Sequence, residues 1–313
     1  MPIRRLFAEQ PINTSRISSF RAESFPISGP IPWLDRPDAL DQIARAEITD
    51  EEAELCRYWV QNGYITITGA VESQILDEVW AAYEGAIRSG KIVLQPEKIS
   101  DDDPYPGRYL NPHKKAGEFC RILKHPRLLR TIQVLFGREP KALQTIASHK
   151  GSQQSAHSDS IHMTTYPLGY LSAAWTAFED IHPDSGPLVF YPGSHRLPYV
   201  FSKDVGISEA DFKREGYAAY QARYEPYIRE QIEKQKLEPH HFLARKGDTL
   251  IWHANLLHGG STRKDVTRSR RAMVSHYFAK GSFVYHDLAS ARSMQQYLGT
   301  CLLRTRFGER LWR

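Results

Sequence analysis

Apolar and polar positions alternate with two different periods along the chain, and the change falls near Lys141. Upstream, the pattern is helical. Thr49-Asp50-Glu51-Glu52 predicts a helix start, with Thr49 as cap and acidic residues on the positive end of the dipole. The helix ends at Asn62-Gly63, a left-handed C-terminal signal. Tyr64-Ile65-Thr66-Ile67-Thr68 alternates and predicts a short strand. Ser73 to Ser89 predicts a second helix, with Ile75, Val79, Tyr83 and Ile87 along one face. Val93 to Lys115, broken by prolines, predicts a long loop, and His125 to Phe136 another short helix. Downstream, Ala142 to His149, Tyr170 to Phe178, Leu188 to Tyr191, Asp248 to Trp252 and Arg271 to Phe278 read as strands. Gly186-Pro187 and Pro192-Gly193-Ser194 punctuate them. Helices followed by many short strands predict a mainly β fold with flanking α-helices, a sandwich or jelly roll.

Two segments stand apart. Residues 1–45, rich in Pro, Ser and Arg and without periodicity, read as an N-terminal arm over the surface of a single domain spanning 46–313. A charged helical insertion at about 203–243 interrupts the strands. Its Tyr217, Tyr220, Tyr224 and Tyr227 recur at helical spacing, either to dock the insertion or to turn phenols toward a substrate as a lid.

Composition changes this picture little. A chain of 313 residues, 41% apolar and 25% charged, can bury a full core. The net charge of +5 is dispersed, with one dense basic run from Lys264 to Arg271, so no nucleic-acid partner is expected. Cys56, Cys120 and Cys301 follow no ligand spacing, and so few thiols fit a reducing cytoplasm. No window approaches the ~18 apolar residues of a membrane span, and no signal peptide opens the chain. The expectation is a soluble cytoplasmic protein, monomer or homodimer, acting on a small molecule.

The candidate chemistry sits in Ser155-Ala156-His157-Ser158-Asp159-Ser160-Ile161-His162. On extended backbone, residues i and i+2 share a face, so His157 and Asp159 can converge on one cation. A distal His would complete a two-His-one-carboxylate face with open positions, as non-haem Fe(II) oxygenases use. The triplet alone is weak, since chance supplies about one His-x-Asp in such a chain. A second, His182-Pro183-Asp184, falls in a turn. Downstream, His253 and His258 compete for the third position, and two glycines after His258 permit close approach of backbone and reactant. Arg270, twelve residues after His258, favours His258. A guanidinium can grip the far carboxylate of a 2-oxo acid bidentately, and Arg268 and Arg271 are neighbours that could serve instead.

From Leu143 to Phe278 the chain resembles the phytanoyl-CoA dioxygenase (PhyH) family of Fe(II)/2-oxoglutarate-dependent oxygenases. The matching pieces are Leu143-Gln144, His157-x-Asp159, Ala174 to Asp180, Gly186-Pro187-Leu188, Tyr191 to His195, Gly247-Asp248, His258-Gly259-Gly260 and Arg270-Arg271-Ala272. The resemblance implies a double-stranded β-helix, a cupin-like jelly roll. It implies Fe(II) held by His157, Asp159 and His258, with 2-oxoglutarate held by Arg270, Gln144 and Trp175. It suggests a substrate role for His162 and a local turn role for His195. Related halogenases replace the carboxylate with a small residue. Asp159 is present, so the implied reaction is hydroxylation of a C–H in a small or medium organic metabolite, with O2 consumed and succinate and CO2 released. The rivals are a cupin-like metal enzyme that uses no 2-oxo acid and a non-catalytic ligand-binding relative.

Overall fold

The computed structural model describes residues 31–94, 107–286 and 288. Most of the arm expected over 1–45 lies outside the described residues. Within its last part, Trp33 is fully buried and donates its indole N–H to the carbonyls of Val134 and Leu135. A short helix, α1 (Ala39–Arg45), adds Ile43 to the main core. Residues 33–45 therefore belong to the folded body.

Helix α2 (Asp50–Asn62) begins on a reciprocal Thr49/Glu52 capping box and ends on Gly63 in the left-handed region. Strand β1 (Tyr64–Ile67) follows, then α3 (Ser73–Arg88), which buries Leu76, Val79, Trp80, Tyr83 and Ala86. The short strand β2 (Tyr109–Leu110) and helices α4 (Phe119–Leu123) and α5 (Pro126–Phe136) precede β3 (Pro140–Ser148). Strands β4 (Thr164–Tyr166), β5 (Leu171–Ala177) and β6 (Leu188–Phe190) lead to the insertion, α6 (Glu209–Glu215) and α7 (Ala218–Lys234). Strands β7 (His240–Phe242), β8 (Thr249–His253), β9 (His258–Gly260), β10 (Ala272–Ala279) and β11 (Phe283–Tyr285) complete the order.

Three antiparallel sheets result: a six-stranded one ordered β1-β8-β5-β10-β3-β2, a three-stranded one ordered β7-β6-β9, and the pair β11-β4. The six-stranded sheet is covered on both faces, and its central strands β5 and β8 are buried throughout. Ile65, Ala174, Ile251 and Met273 join the core beneath α2, α3 and α5, whereas Tyr64, Trp175, Leu250 and Trp252 face Leu188, Phe190 and Phe242 of the smaller sheet. The space between the two sheets is where the site is built. No helix among the described residues is long and apolar enough to cross a membrane.

The insertion expected over 203–243 is helical only to Lys234, and His240–Phe242 instead pairs with β6. That edge strand was hidden because two of its three residues are exposed histidines, so it carries no apolar alternation.

Candidate metal centre

His157 sits in an isolated antiparallel bridge with His258, each backbone N–H donating to the other's carbonyl at 2.9 Å. This bridge, next to the β6–β9 ladder, brings residues 101 positions apart into contact and sets their rings 4.5 Å apart. Ser158 is extended, with φ −98° and ψ 150°, so Asp159 returns to the face of His157 before a 3-10 turn begins. The ligand atoms of His157, Asp159 and His258 all lie within 4.8 Å of one another, and all three residues are buried.

The surrounding bonds leave one lone pair on each ring aimed at the common point. The Nδ1 of His157 lies 2.9 Å from the Ser155 carbonyl and that of His258 lies 3.0 Å from the Leu256 carbonyl. Both carbonyls require a donor, which fixes the proton on Nδ1 and leaves the Nε2 lone pair as the ligand; on His157 the Gln154 amide nitrogen, 3.2 Å away, occupies that lone pair and would give way to a cation. Burial, then the His258 and His162 rings, pushes the His157 imidazole well below its ordinary value and keeps it neutral. Asp159 runs the other way. Burial would raise its carboxyl, but the nearby His258 and His276 rings outweigh burial and hold it well below the usual carboxylate range. Its Oδ2 accepts the indole N–H of Trp252 at 2.8 Å, while Oδ1 lies 3.6 Å from His258 Nε2. His276 Nε2 stands 3.8 Å from the same Oδ2. With Oδ2 engaged from the six-stranded sheet, Oδ1 is the oxygen presented to a cation. Two imidazole nitrogens and one carboxylate oxygen on one side form a donor set that suits Fe(II).

His253 is excluded from this cluster. It follows Trp252 on β8 and points to the opposite face, where its Nε2 lies 3.2 Å from Asp35 Oδ2 and its ring 5.6 Å from His195. His195 packs there against Gly63, where any Cβ would stand 2.3 Å from the ring. His182 and Asp184 form a surface turn away from the cluster, with the Asp184 N–H donating to His182 Nδ1. The glycines after His258 serve a neighbouring strand rather than a reactant. A Cβ on Gly259 would stand 2.6 Å from the Gln154 carbonyl, and one on Gly260 would stand 2.4 Å from Ser152 Oγ.

Among the three arginines, Arg268 pairs with Asp265 at 3.0 Å, and Arg271 lies 3.7 Å from Glu179. Arg270 is different. It is only 4% exposed, donates one Nη1 bond to the Gly186 carbonyl at 3.2 Å, and stacks 5.4 Å over the Trp175 ring. Its Nε has no hydrogen-bond partner, and no carboxylate among the described residues offsets its charge. Burial first, then Arg108 and Arg263, lowers this guanidinium to about 10. Trp175 pairs with Val274, two residues before His276, so the guanidinium leans along the strand toward the ligand cluster. Roughly 7 Å of strand separates the two. Gln144, directly across from His276 on β3, has a buried Oε1 without a partner, as does Nδ1 of His276. Buried polar atoms left unpaired are costly, so these three orphans mark a polar trough in which the Arg270 Nε–H is the donor suited to an anionic group and the Gln144 Oε1 an acceptor.

His162 lies outside the donor set, with its ring 5.7 Å from His157 and 5.6 Å from Tyr217. Tyr220 and Tyr224 are buried, and the Tyr224 hydroxyl accepts the Ser158 N–H at 3.1 Å, so this part of the tyrosine stripe docks the insertion beside the ligands. Tyr217 remains 44% exposed. Trp252, His276, Gln154 and Arg108 were not anticipated from sequence. Only Trp252, adjacent to a candidate His on a buried strand, carried any signal.

The family model for phytanoyl-CoA dioxygenase (PhyH) matches residues 59–272. The human peroxisomal phytanoyl-CoA dioxygenase is 23% identical over 252 residues, covering 74% of this chain and 69% of the relative. A probable phytanoyl-CoA dioxygenase of Caenorhabditis elegans is 25% identical, covering 72% and 74%. Among solved structures, the non-heme alpha-ketoglutarate-dependent carbocyclase SnoK of nogalamycin biosynthesis superposes with a TM-score of 0.59 at 15% identity, covering 85% of this chain and 94% of that one. EctD from S. alaskensis, with 2-oxoglutarate and 5-hydroxyectoine, gives 0.56 at 17% identity, covering 76% and 80%. These likenesses establish a shared fold.

Proposed function

The chain belongs to the phytanoyl-CoA dioxygenase family, and from that premise we propose that it is a non-haem Fe(II)- and 2-oxoglutarate-dependent dioxygenase that hydroxylates a C–H bond of a small or medium organic metabolite. The two facing sheets are read as a double-stranded β-helix with the metal at one end. His157, Asp159 and His258 would hold the iron. Arg270 would grip the distal carboxylate of 2-oxoglutarate, with Trp175 as the wall of that pocket and Gln144 as a further polar contact. His162 would face the substrate. Iron bound there supplies oxygen activation coupled to oxidative decarboxylation of 2-oxoglutarate to succinate and CO2, with the second oxygen atom inserted into the substrate.

The protein's own part is positional. Trp252 and His276 hold one oxygen of Asp159, the Ser155 and Leu256 carbonyls fix both imidazole tautomers, and Arg270 sets where the acid lies. The observation that carries the reading is the pairing of a three-donor cluster with a buried, unopposed guanidinium. A cupin-like enzyme without a 2-oxo acid leaves that charge unexplained. Free Cys56 and Cys120 agree with a reducing cytoplasm.

The test is succinate formation from 2-oxoglutarate by protein loaded with Fe(II) in air. The wild type should release succinate and the His157→Ala variant should not. A His157→Ala protein that consumes 2-oxoglutarate at the wild-type rate overturns the assignment.

A further inference from the structure

Beyond the three donors and Arg270, one polar group at the mouth has no role in holding metal or co-substrate. Arg108, immediately before β2, is exposed and reaches across to the His157 segment, donating from Nη1 to Gln154 Oε1 at 2.9 Å. The other end of that amide, Gln154 Nε2, lies 3.2 Å from His157 Nε2. A single side chain thus separates the Arg108 guanidinium from the imidazole nitrogen that would face iron. Tyr217 and His162 complete the rim, their rings 5.6 Å apart. Arg108 forms no ion pair among the described residues. Burial and then the charge of Glu225 push the Tyr217 phenol up. Behind the rim, Arg108 and Arg263 both act on the buried Arg270, so three guanidinium groups crowd one end of the site. A 2-oxo acid on Arg270 would offset one of them, and the rim would remain cationic.

We propose that the oxidised substrate carries an anionic oxygen group, a carboxylate or a phosphate, seated at the rim on Arg108 between Tyr217 and His162, which aims the rest of the molecule at the metal. This inference rests on the oxygenase reading of the site. Arg108 is a binding and positioning residue: a guanidinium offers a fork matched to either anion, and a phenol and an imidazole beside it add donors. The rim then selects for charge, while the barrel interior selects for the shape of the remainder.

The test uses protein loaded with Mn(II) and saturating 2-oxoglutarate, with benzoate, phenyl phosphate and neutral benzyl alcohol as probes. Relaxation of probe protons by the manganese reports binding near the metal. Benzoate, phenyl phosphate or both should bind, and benzyl alcohol should not. Arg108→Ala should weaken the anionic probes about tenfold or more, the loss expected of a charge-assisted contact, and Arg108→Lys should recover part of it. Stronger binding of benzoate or of phenyl phosphate assigns the anion as carboxylate or phosphate. Binding of 2-oxoglutarate should change less than threefold in either variant, against the tenfold loss of the anionic probes, which separates this rim from Arg270. Benzyl alcohol binding as tightly as the anions, or Arg108→Ala binding them like wild type, overturns the proposal. If the metal and 2-oxoglutarate do not bind at all, the oxygenase reading fails. The same probes are then titrated into metal-free protein by saturation transfer, and the response of Arg108→Ala decides the rim by itself.

Discussion

Replacing Arg270 by methionine should make the protein more stable and unable to hold its co-substrate. The guanidinium is 4% exposed, has one hydrogen bond to a carbonyl and an unpartnered Nε, and faces no carboxylate among the described residues. Burial and the neighbouring Arg108 and Arg263 lower it from the ordinary arginine range to about 10, which corresponds to roughly 3 kcal/mol of folding free energy. The sign follows from proton linkage. At neutral pH the group is charged in both states but held less tightly in the native one. The penalty is therefore fully present below about 10 and is relieved progressively as pH rises above that value toward the ordinary arginine range. Methionine removes the penalty, keeps much of the stacking on Trp175, and loses the bond to Gly186, worth about 1 kcal/mol. A net gain of about 1 to 2 kcal/mol should raise the melting temperature of the apo-protein by roughly 1.5 to 3 °C. Two charge-assisted bonds to the co-substrate are lost at about 1.5 to 3 kcal/mol each. The affinity for 2-oxoglutarate should therefore fall by about 100-fold or more. Calorimetry of the apo-proteins and anaerobic titration of 2-oxoglutarate into Mn(II)-loaded protein measure the two effects. An Arg270→Met protein that melts several degrees lower would mean the charge is already satisfied in the fold. A dissociation constant within threefold of wild type would remove Arg270 from the co-substrate site.

Three further outcomes are expected. Trp252→Phe keeps the packing but removes the N–H on Asp159 Oδ2, so Mn(II) affinity should drop about 10- to 100-fold with the circular dichroism spectrum unchanged; unaltered metal affinity would refute the restraint. His258→Ala should abolish stoichiometric metal binding, whereas His253→Ala should retain it while losing the contacts to Asp35 and the Asn255 N–H, a result read by metal titration beside a urea melt. Metal-free protein should lose stability as pH falls below about 6.5, because buried His149 and His195 are lowered to about 4 and about 3, chiefly by burial. Their unfolded forms take up protons first, so the loss grows from 6.5 downward and is complete only below those values. His149→Phe, in the aromatic pocket of Trp80 and Tyr83, should flatten the urea-midpoint profile between pH 6 and 4, and an unchanged slope would refute that share.

The secondary structure was most legible where one local rule acts alone. The Thr49/Glu52 box and Gly63 bound α2 as read, and five strands of the six-stranded sheet fall within a residue or two of their expected ends, whereas β2 lies inside the stretch read as a long loop. That sheet is buried on both faces, so its strands write continuous apolar runs into the sequence. The smaller sheet does not. Strands β7 and β9 contain His-His-Phe and His-Gly-Gly, whose composition answers to the edge and to the metal cluster rather than to a core. A period-two search has nothing to find there. Trp33 and Ile43 were hidden for the opposite reason: each buries a single large side chain from a segment with no period at all.

The site divides along the same line. His157 and Asp159 were legible because two residues of extended backbone are enough to place them together, and Ser158 supplies that backbone. His258 and Arg270 needed a second condition, that an acid-binding arginine follow the third ligand. The structure separates His253 from His258 by strand parity: Trp252 takes the inward position on β8, so His253 must face out. Parity could not be used in advance because the end of β8 was unknown. The residues that restrain the donors come from yet other elements. Trp252 and His276 reach Asp159 from two strands of the opposite sheet, and Arg108 reaches Gln154 from its far edge. Each is ordinary in its own strand or loop, and only the closure of one sheet over the other gives it a partner. A ligand set of this kind can be read from spacing, whereas the groups that orient it and choose its substrate become visible only when the two sheets are set face to face.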